Sequence, residues 1–196
     1  PIFTSGICIL PNISDHGVEM SEALHINAGR LLCKYLSEEW DFSYNFDNED
    51  SSEASVMHRI HDMGLNLVQV GIRAQCIEES QLIKSSNNIH TWYAHDLWDN
   101  DAWIDDCIDK LGDVVYVTID ADGFDPSVAP AVGTAEPGGL TWIQGCKLLR
   151  RIAERKQVVG FDIVEIAPRE NDILTEFTMA KLCYKFLGYL NINNRI

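Results

Sequence analysis

Along the chain, short β-branched runs alternate with longer stretches in which apolar residues recur every three or four positions. That alternation predicts βαβ units built around a parallel sheet. The strongest strands fall at residues 67–71, 114–119 and 158–164. The last two are nearly continuous apolar runs, as expected of strands covered by helices on both faces. Residues 6–10 and 91–94 are weaker strand candidates. Helical spacing appears over residues 20–36, where Leu24, Ala28, Leu31, Leu32 and Tyr35 line up, and over 53–63, which Ser51 or Ser52 can cap. It appears again over 101–111, with Trp103, Ile104, Cys107, Ile108 and Leu111 on one stripe. Thr141 and Gln144 have capping-box spacing, and the helix they open ends in Arg150, Arg151, Arg155 and Lys156, an order that suits the helix dipole. A last helix is expected over 172–190. Residues 41–53 follow neither period and read as a loop.

Length and composition narrow this picture. The chain of 196 residues suits one domain, and 46% hydrophobic with 23% charged residues is ordinary for a soluble globular protein. No apolar run approaches the length that spans a bilayer, and the first ten residues read as a strand, not as a signal peptide. A net charge of −15 argues against binding to a nucleic-acid backbone. The same field would attract a small cation. Six cysteines (Cys8, Cys33, Cys76, Cys107, Cys146, Cys183) lack C-x-x-C spacing and sit mostly in apolar segments. That pattern predicts reduced, buried thiols in a cytoplasmic protein.

Candidate chemistry concentrates at residues 117–126, Val-Thr-Ile-Asp-Ala-Asp-Gly-Phe-Asp-Pro. A buried strand delivers Asp120 at its carboxyl end, where ligands of open α/β sheets bind. Asp120 and Asp122 share a face if the backbone stays extended. Two adjacent carboxylates repel unless a cation lies between them or one is protonated, and hard divalent ions such as Mn²⁺ or Mg²⁺ prefer such oxygens. These residues alone leave three readings open: a metal pair, a receiver-type phosphoacceptor, or acids that cap the next turn. Asp125 before Pro126 suits the last role.

Residues 127–141, dense in proline and glycine, follow with a backbone that can approach a ligand closely. Here the chain resembles the ureohydrolases, the family of arginases, agmatinases, guanidinobutyrases and formiminoglutamases. The resemblance rests on Asp-x-Asp-x-x-Asp-Pro at 120–126, Ala-Pro-x-x-Gly-Thr ending at Thr134, and Pro-Gly-Gly-Leu-Thr at 137–141. Asp162-Ile-Val-Glu165 is similar to the family's Asp-Ile-x-Glu strand, and Val70-Gly-Ile-Arg73 to its Val-Gly-Ile-Arg strand. About residues 52–190 are covered, in wording closest to bacterial agmatinases. The implied fold is a single arginase-like, three-layer α/β/α domain over residues 1–196 with a mainly parallel sheet. The implied activity is hydrolysis of a linear guanidino compound, best matched by agmatine to putrescine and urea. Two Mn²⁺ ions would activate a bridging hydroxide, with Asp120 and Asp122 as catalytic metal ligands. Thr134 and Glu165 would contact the cationic guanidinium. The expected partners are that small substrate and further copies of the chain, as trimer or hexamer, with no nucleic acid and no membrane.

The resemblance also has gaps. The family's Gly-Gly-(Asp/Glu)-His and Asp-Ala-His-x-Asp motifs, which carry most of its metal ligands, are absent, and Glu53 stands where its Ser-His-Ala motif has histidine. His58 and His61 lie three apart, while His16, His25, His90 and His95 are scattered, and none restores the pattern. Either a segment is missing near residues 37–51, or the chain is a non-catalytic relative serving as a binding or structural subunit.

Overall fold

The computed structural model describes residues 7–11, 61 and 64–193. Five strands form one sheet: β1 (Ile7–Pro11), β2 (Leu67–Ile72), β3 (Ile89–Tyr93), β4 (Val114–Asp120) and β5 (Gln157–Val164). Their order is β3-β2-β1-β4-β5. β2 pairs parallel with β3, and β4 with β5. β1 runs antiparallel to both β2 and β4, so β2 and β4 point the same way. Four of the five strands therefore present their carboxyl ends at one edge, the mainly parallel arrangement expected. Ile7, fully buried, pairs with Val70 on one side and Ile119 on the other.

Among the described residues four helices with complete bounds accompany the strands: α1 (Ile77–Ser85), α2 (Trp103–Asp109), α3 (Trp142–Arg155) and, after β5, α4 (Leu174–Ile192). α3 begins at the expected Thr141–Gln144 capping box. α2 buries Trp103, Ile104, Cys107 and Ile108, the stripe its spacing predicts. On one face of the sheet Val115, Val117 and Ile119 meet Leu148, Leu149 and Ile152 of α3 and Met179, Leu182 and Phe186 of α4 in one core. Phe161 of β5 meets Phe186 edge to face, with centroids 4.9 Å apart.

The opposite face of the sheet is more polar. Thr91 Oγ1 donates to Gln69 Oε1 at 3.0 Å, and Tyr116 Oη donates to Asp162 Oδ2 at 2.8 Å. Burial holds Asp162 above the usual carboxylate range and raises the Tyr116 phenol further, with the Asp162 charge as the second cause. Burial alone pushes the Cys107 thiol up to about 12; Cys76, Cys107, Cys146 and Cys183 are all free, but of these only Cys107 is buried as expected and the other three are half-buried.

The spacing gave no hint of α1, because Glu79 is its sole buried residue and Ile77 is 72% exposed. It is set by a capping box in which Cys76 Sγ accepts from Glu79 N and Glu79 Oε2 accepts from Cys76 N. Residues 91–94 prove to be the end of β3 followed by a 3₁₀ turn, Ala94–Leu97. The helices expected over 20–36 and 53–63 and the loop over 41–53 lie outside the described residues, save His61, which is helical.

Candidate metal centre at the carboxyl edge of the sheet

Three chemistry-bearing residues follow three strand ends at this edge. Arg73 follows β2, Asp120 closes β4, and Glu165 follows β5. The chain does not stay extended past Asp120, contrary to the assumption that placed Asp120 and Asp122 on one strand face. It turns into a 3₁₀ helix over Ala121–Gly123, because Asp120 Oδ1 accepts from Asp122 N at 2.7 Å and caps the turn. The two carboxylates nevertheless stay close enough to repel, and each residue is under 5% exposed. Burial, then the Asp122 charge, pushes the Asp120 carboxyl up to about 9; Glu165 adds to the rise and Arg73 opposes it.

Asp122 is held from both sides. Its Oδ2 accepts from Thr134 N at 3.1 Å and from Thr134 Oγ1. Its carbonyl accepts from Arg73 Nη2, while Arg73 Nη1 donates to the carbonyls of Gly71 and Gly123, each at 3.2 Å. Thr134 thus directs both its donors to Asp122. Glu165 is half-buried with φ of 61°, a left-handed conformation that costs a residue with a Cβ roughly 1–2 kcal/mol.

The glycine-rich segment folds back onto this turn. Leu140 N donates to Gly123 O at 2.9 Å, and Asp125 N to Leu140 O at 3.0 Å. A Cβ on Gly139 would sit 2.6 Å from Phe124 C and 2.7 Å from Asp125 N, so only glycine allows the approach. Asp125 takes the turn role expected of it. Its Oδ1 accepts from Ser127 N and Oγ, and its Oδ2 from Gly138 N at 2.9 Å. The Ser127 bonds hold its carboxyl below the usual range.

Asp120 Oδ2 and Asp122 Oδ1 are buried and lack any hydrogen-bond partner. Buried carboxylate oxygens are rarely left so, and a divalent cation is the partner such hard, paired oxygens suit. The pair fits part of a metal shell. No group of three or more His, Cys, Asp or Glu is placed to complete one among the described residues. His61 is bonded to Ser86 Oγ at 3.0 Å, and His95 stacks on Tyr93 and meets Asp96 at 3.6 Å. Burial lowers the pKa of His90. His16, His25, His58 and Glu53 lie outside the described residues. Residue-type reasoning treated Arg73 as a motif letter only; its place directly after a buried strand that ends at the site was the available signal.

This arrangement has relatives. The chain belongs to the arginase family, whose model matches residues 40–188. It is 41% identical, over 79% of its length, to an N(1)-aminopropylagmatine ureohydrolase of Synechocystis sp., of which it covers 51%. It is 34% identical, over 76% of its length, to an agmatinase of Pyrococcus horikoshii, again covering 51%. Among solved structures it superposes on the agmatine ureohydrolase of Thermoplasma volcanium with a TM-score of 0.64 and 31% identity, covering 77% of this chain and 52% of that one. The arginase from Medicago truncatula gives 0.62 and 28%, covering 75% and 47%. The chain thus spans about half the length of the relatives it matches. Among its described residues no helix is long and apolar enough to cross a membrane.

Proposed function

We propose that this chain carries part of a metal-dependent ureohydrolase site that acts on a linear guanidino compound, agmatine or its N(1)-aminopropyl derivative. The observation that carries the reading is the buried Asp120–Asp122 pair with two unpartnered oxygens at the carboxyl edge of the sheet. In this reading Asp120 and Asp122 would hold divalent manganese, which when bound would supply a water acidified to near neutrality. Glu165 would pair with the guanidinium and fix its orientation at the carboxyl edge of the sheet. Thr134, whose donors are spent on Asp122, would act on the substrate through its remaining acceptor and through the carboxylate it holds. The overall reaction is hydrolysis of one C–N bond: the water oxygen goes to the guanidinium carbon, which leaves as neutral urea, and both water protons end on the departing nitrogen, which leaves as an alkylammonium and carries the positive charge.

Two relatives' names bear on the substrate. The Synechocystis relative suggests a substrate extended by an aminopropyl group, and the Pyrococcus relative suggests agmatine itself. A net charge of −15 suits either cation. Free thiols suit a reducing, cytoplasmic setting, and a trimer or hexamer is the assembly we propose by resemblance.

A second reading has its own support. With no third ligating group beside the pair among the described residues, the chain could be a non-catalytic subunit on the same scaffold. A segment missing near residues 37–51, a region outside the described residues, would reconcile the two. The direct experiment is manganese-dependent urea release from agmatine, aminopropylagmatine, arginine and guanidinobutyrate, with intact mass measured on the same sample. Urea release with Mn²⁺ that EDTA abolishes is the expected result. A natural product with a mass of 22.1 kDa and no turnover on any of the four would overturn the catalytic reading.

A further inference from the structure

Arg73 presents an unusual combination of burial and bonding. Its side chain is 5% exposed, yet it carries a full charge. Its guanidinium gathers the carbonyls of Gly71 at the end of β2 and of Asp122 and Gly123 in the turn after β4. Its Nε faces Glu136 Oε2 at 3.7 Å, and Glu136 belongs to the glycine-rich segment. A Cβ on Gly139 would come within 2.8 Å of Nη1, so that segment is packed directly against the arginine. One side chain therefore ties together three parts of the chain far apart in sequence, all of which meet at the Asp122 turn.

A purely structural tie would not need this residue. Burying a cation is costly unless opposite charge lies nearby, and a neutral donor could satisfy a carbonyl without that cost. The opposite charge here comes from Glu136, with Asp120 and Asp125 also within electrostatic reach of the guanidinium. The planar fork of an arginine also spreads donors across several acceptors, which a lysine ammonium cannot reproduce.

We propose that Arg73 is a positioning residue for the metal-binding carboxylates: by clamping the Asp122–Gly123 turn to the end of β2, it aims Asp122 Oδ1 at the cation. This rests on the reading of Asp120 and Asp122 as metal ligands. Thr134 fixes the far oxygen of Asp122, and Arg73 fixes its backbone, so the unpartnered oxygen is left with one orientation. Removing the clamp frees the turn while leaving both carboxylates in the sequence.

The test is calorimetric titration of the purified full chain with MnCl₂, beside its metal-free melting temperature, for the native chain, Arg73→Met, Arg73→Lys and Phe186→Leu. Groups that orient metal ligands typically change affinity by about 10- to 100-fold when removed. Arg73→Met is expected to weaken Mn²⁺ binding within that range. Arg73→Lys, which keeps the charge and loses the fork, should recover part of the loss. Phe186→Leu loosens the core beneath the opposite face and should leave Mn²⁺ affinity unchanged even where its melting temperature falls as far. Native affinity in Arg73→Met overturns the proposal, as does an equal loss of affinity in Phe186→Leu. Should Arg73→Met fail to fold, native affinity in a folded Arg73→Lys overturns it instead. Absence of Mn²⁺ binding by the native chain is a separate result, which removes the metal reading and this proposal with it.

Discussion

Replacing Asp120 by asparagine should stabilise the metal-free protein while removing its capacity for metal, and the gain should grow with pH. Asp120 has its carboxyl raised from 3.8 to about 9 in the folded chain, chiefly by burial and then by the Asp122 charge. A raised acid stays protonated on folding while the unfolded chain ionises, so the folded state loses stability as pH climbs above 3.8, with the loss saturating near 9. At pH 7 the cost is (7 − 3.8) × about 1.36, or roughly 4 kcal/mol. The asparagine keeps an oxygen for the bond from Asp122 N, but it places an amide where Oδ2 has no partner, which costs about 1–3 kcal/mol. The net expectation is a gain of about 1–3 kcal/mol at pH 7, shrinking to near zero at pH 5. Urea unfolding followed by circular dichroism in EDTA at pH 5, 7 and 8.5 measures this directly. A difference that does not change with pH, or a variant less stable than the native chain at pH 8.5, would refute the account of the pair.

Other consequences of the same geometry are measurable. Mn²⁺ at a hundred times its dissociation constant should raise stability by about 2.7 kcal/mol, reversed by EDTA and missing from Asp120→Asn. Gly139→Ala should cost about 1–3 kcal/mol or more in urea midpoint, because its Cβ meets backbone atoms of Phe124 and Asp125 inside 3.0 Å. Phe186→Ala should lose about 3–5 kcal/mol by the same assay, since a fully buried ring and its contact with Phe161 disappear. Asp101, Asp105 and Asp109 on one side face Lys147, Arg151 and Arg155 on α3, with Arg151 Nε 2.9 Å from Asp105 Oδ1 and Arg155 Nη2 2.7 Å from Asp109 Oδ1. These pairs are exposed, so Asp105→Asn should cost at most about 1 kcal/mol, and the effect should fade in 1 M NaCl.

Which features could be read from the chain depended on how local their causes are. β4, β5, α2 and α3 were legible because each carries its own periodicity or cap, as with Thr141 and Gln144. α1 was not, because a cysteine caps it and it buries almost nothing. The antiparallel course of β1 was equally hidden, since strand direction is set by distant partners. At the site, the place of Asp120 at a strand end could be read, but the turn after it could not. That turn exists because the Asp120 side chain bonds the Asp122 amide, which replaces the extended backbone that alternation assumes. Arg73 acts on residues about fifty positions away, and no spacing rule reaches that far.

Asp120 and Asp122 are costly to bury together, and the bond from Asp122 N and the Arg73 charge offset only part of that cost, leaving one oxygen on each carboxylate without a partner in the protein. The supporting bonds also restrict motion. Thr134 holds one oxygen of Asp122, Arg73 holds its carbonyl, and Asp125 binds the Gly138 amide that brings Gly139 against the turn. A site whose bonds hold two hard oxygens rigidly in place is suited to a divalent cation. The half-buried Glu165, held at positive φ at the same edge, further opposes ionisation of Asp120. That repulsion is one a bound cation would relieve, which sharpens the expectation that cation binding and folding stability are coupled in this chain.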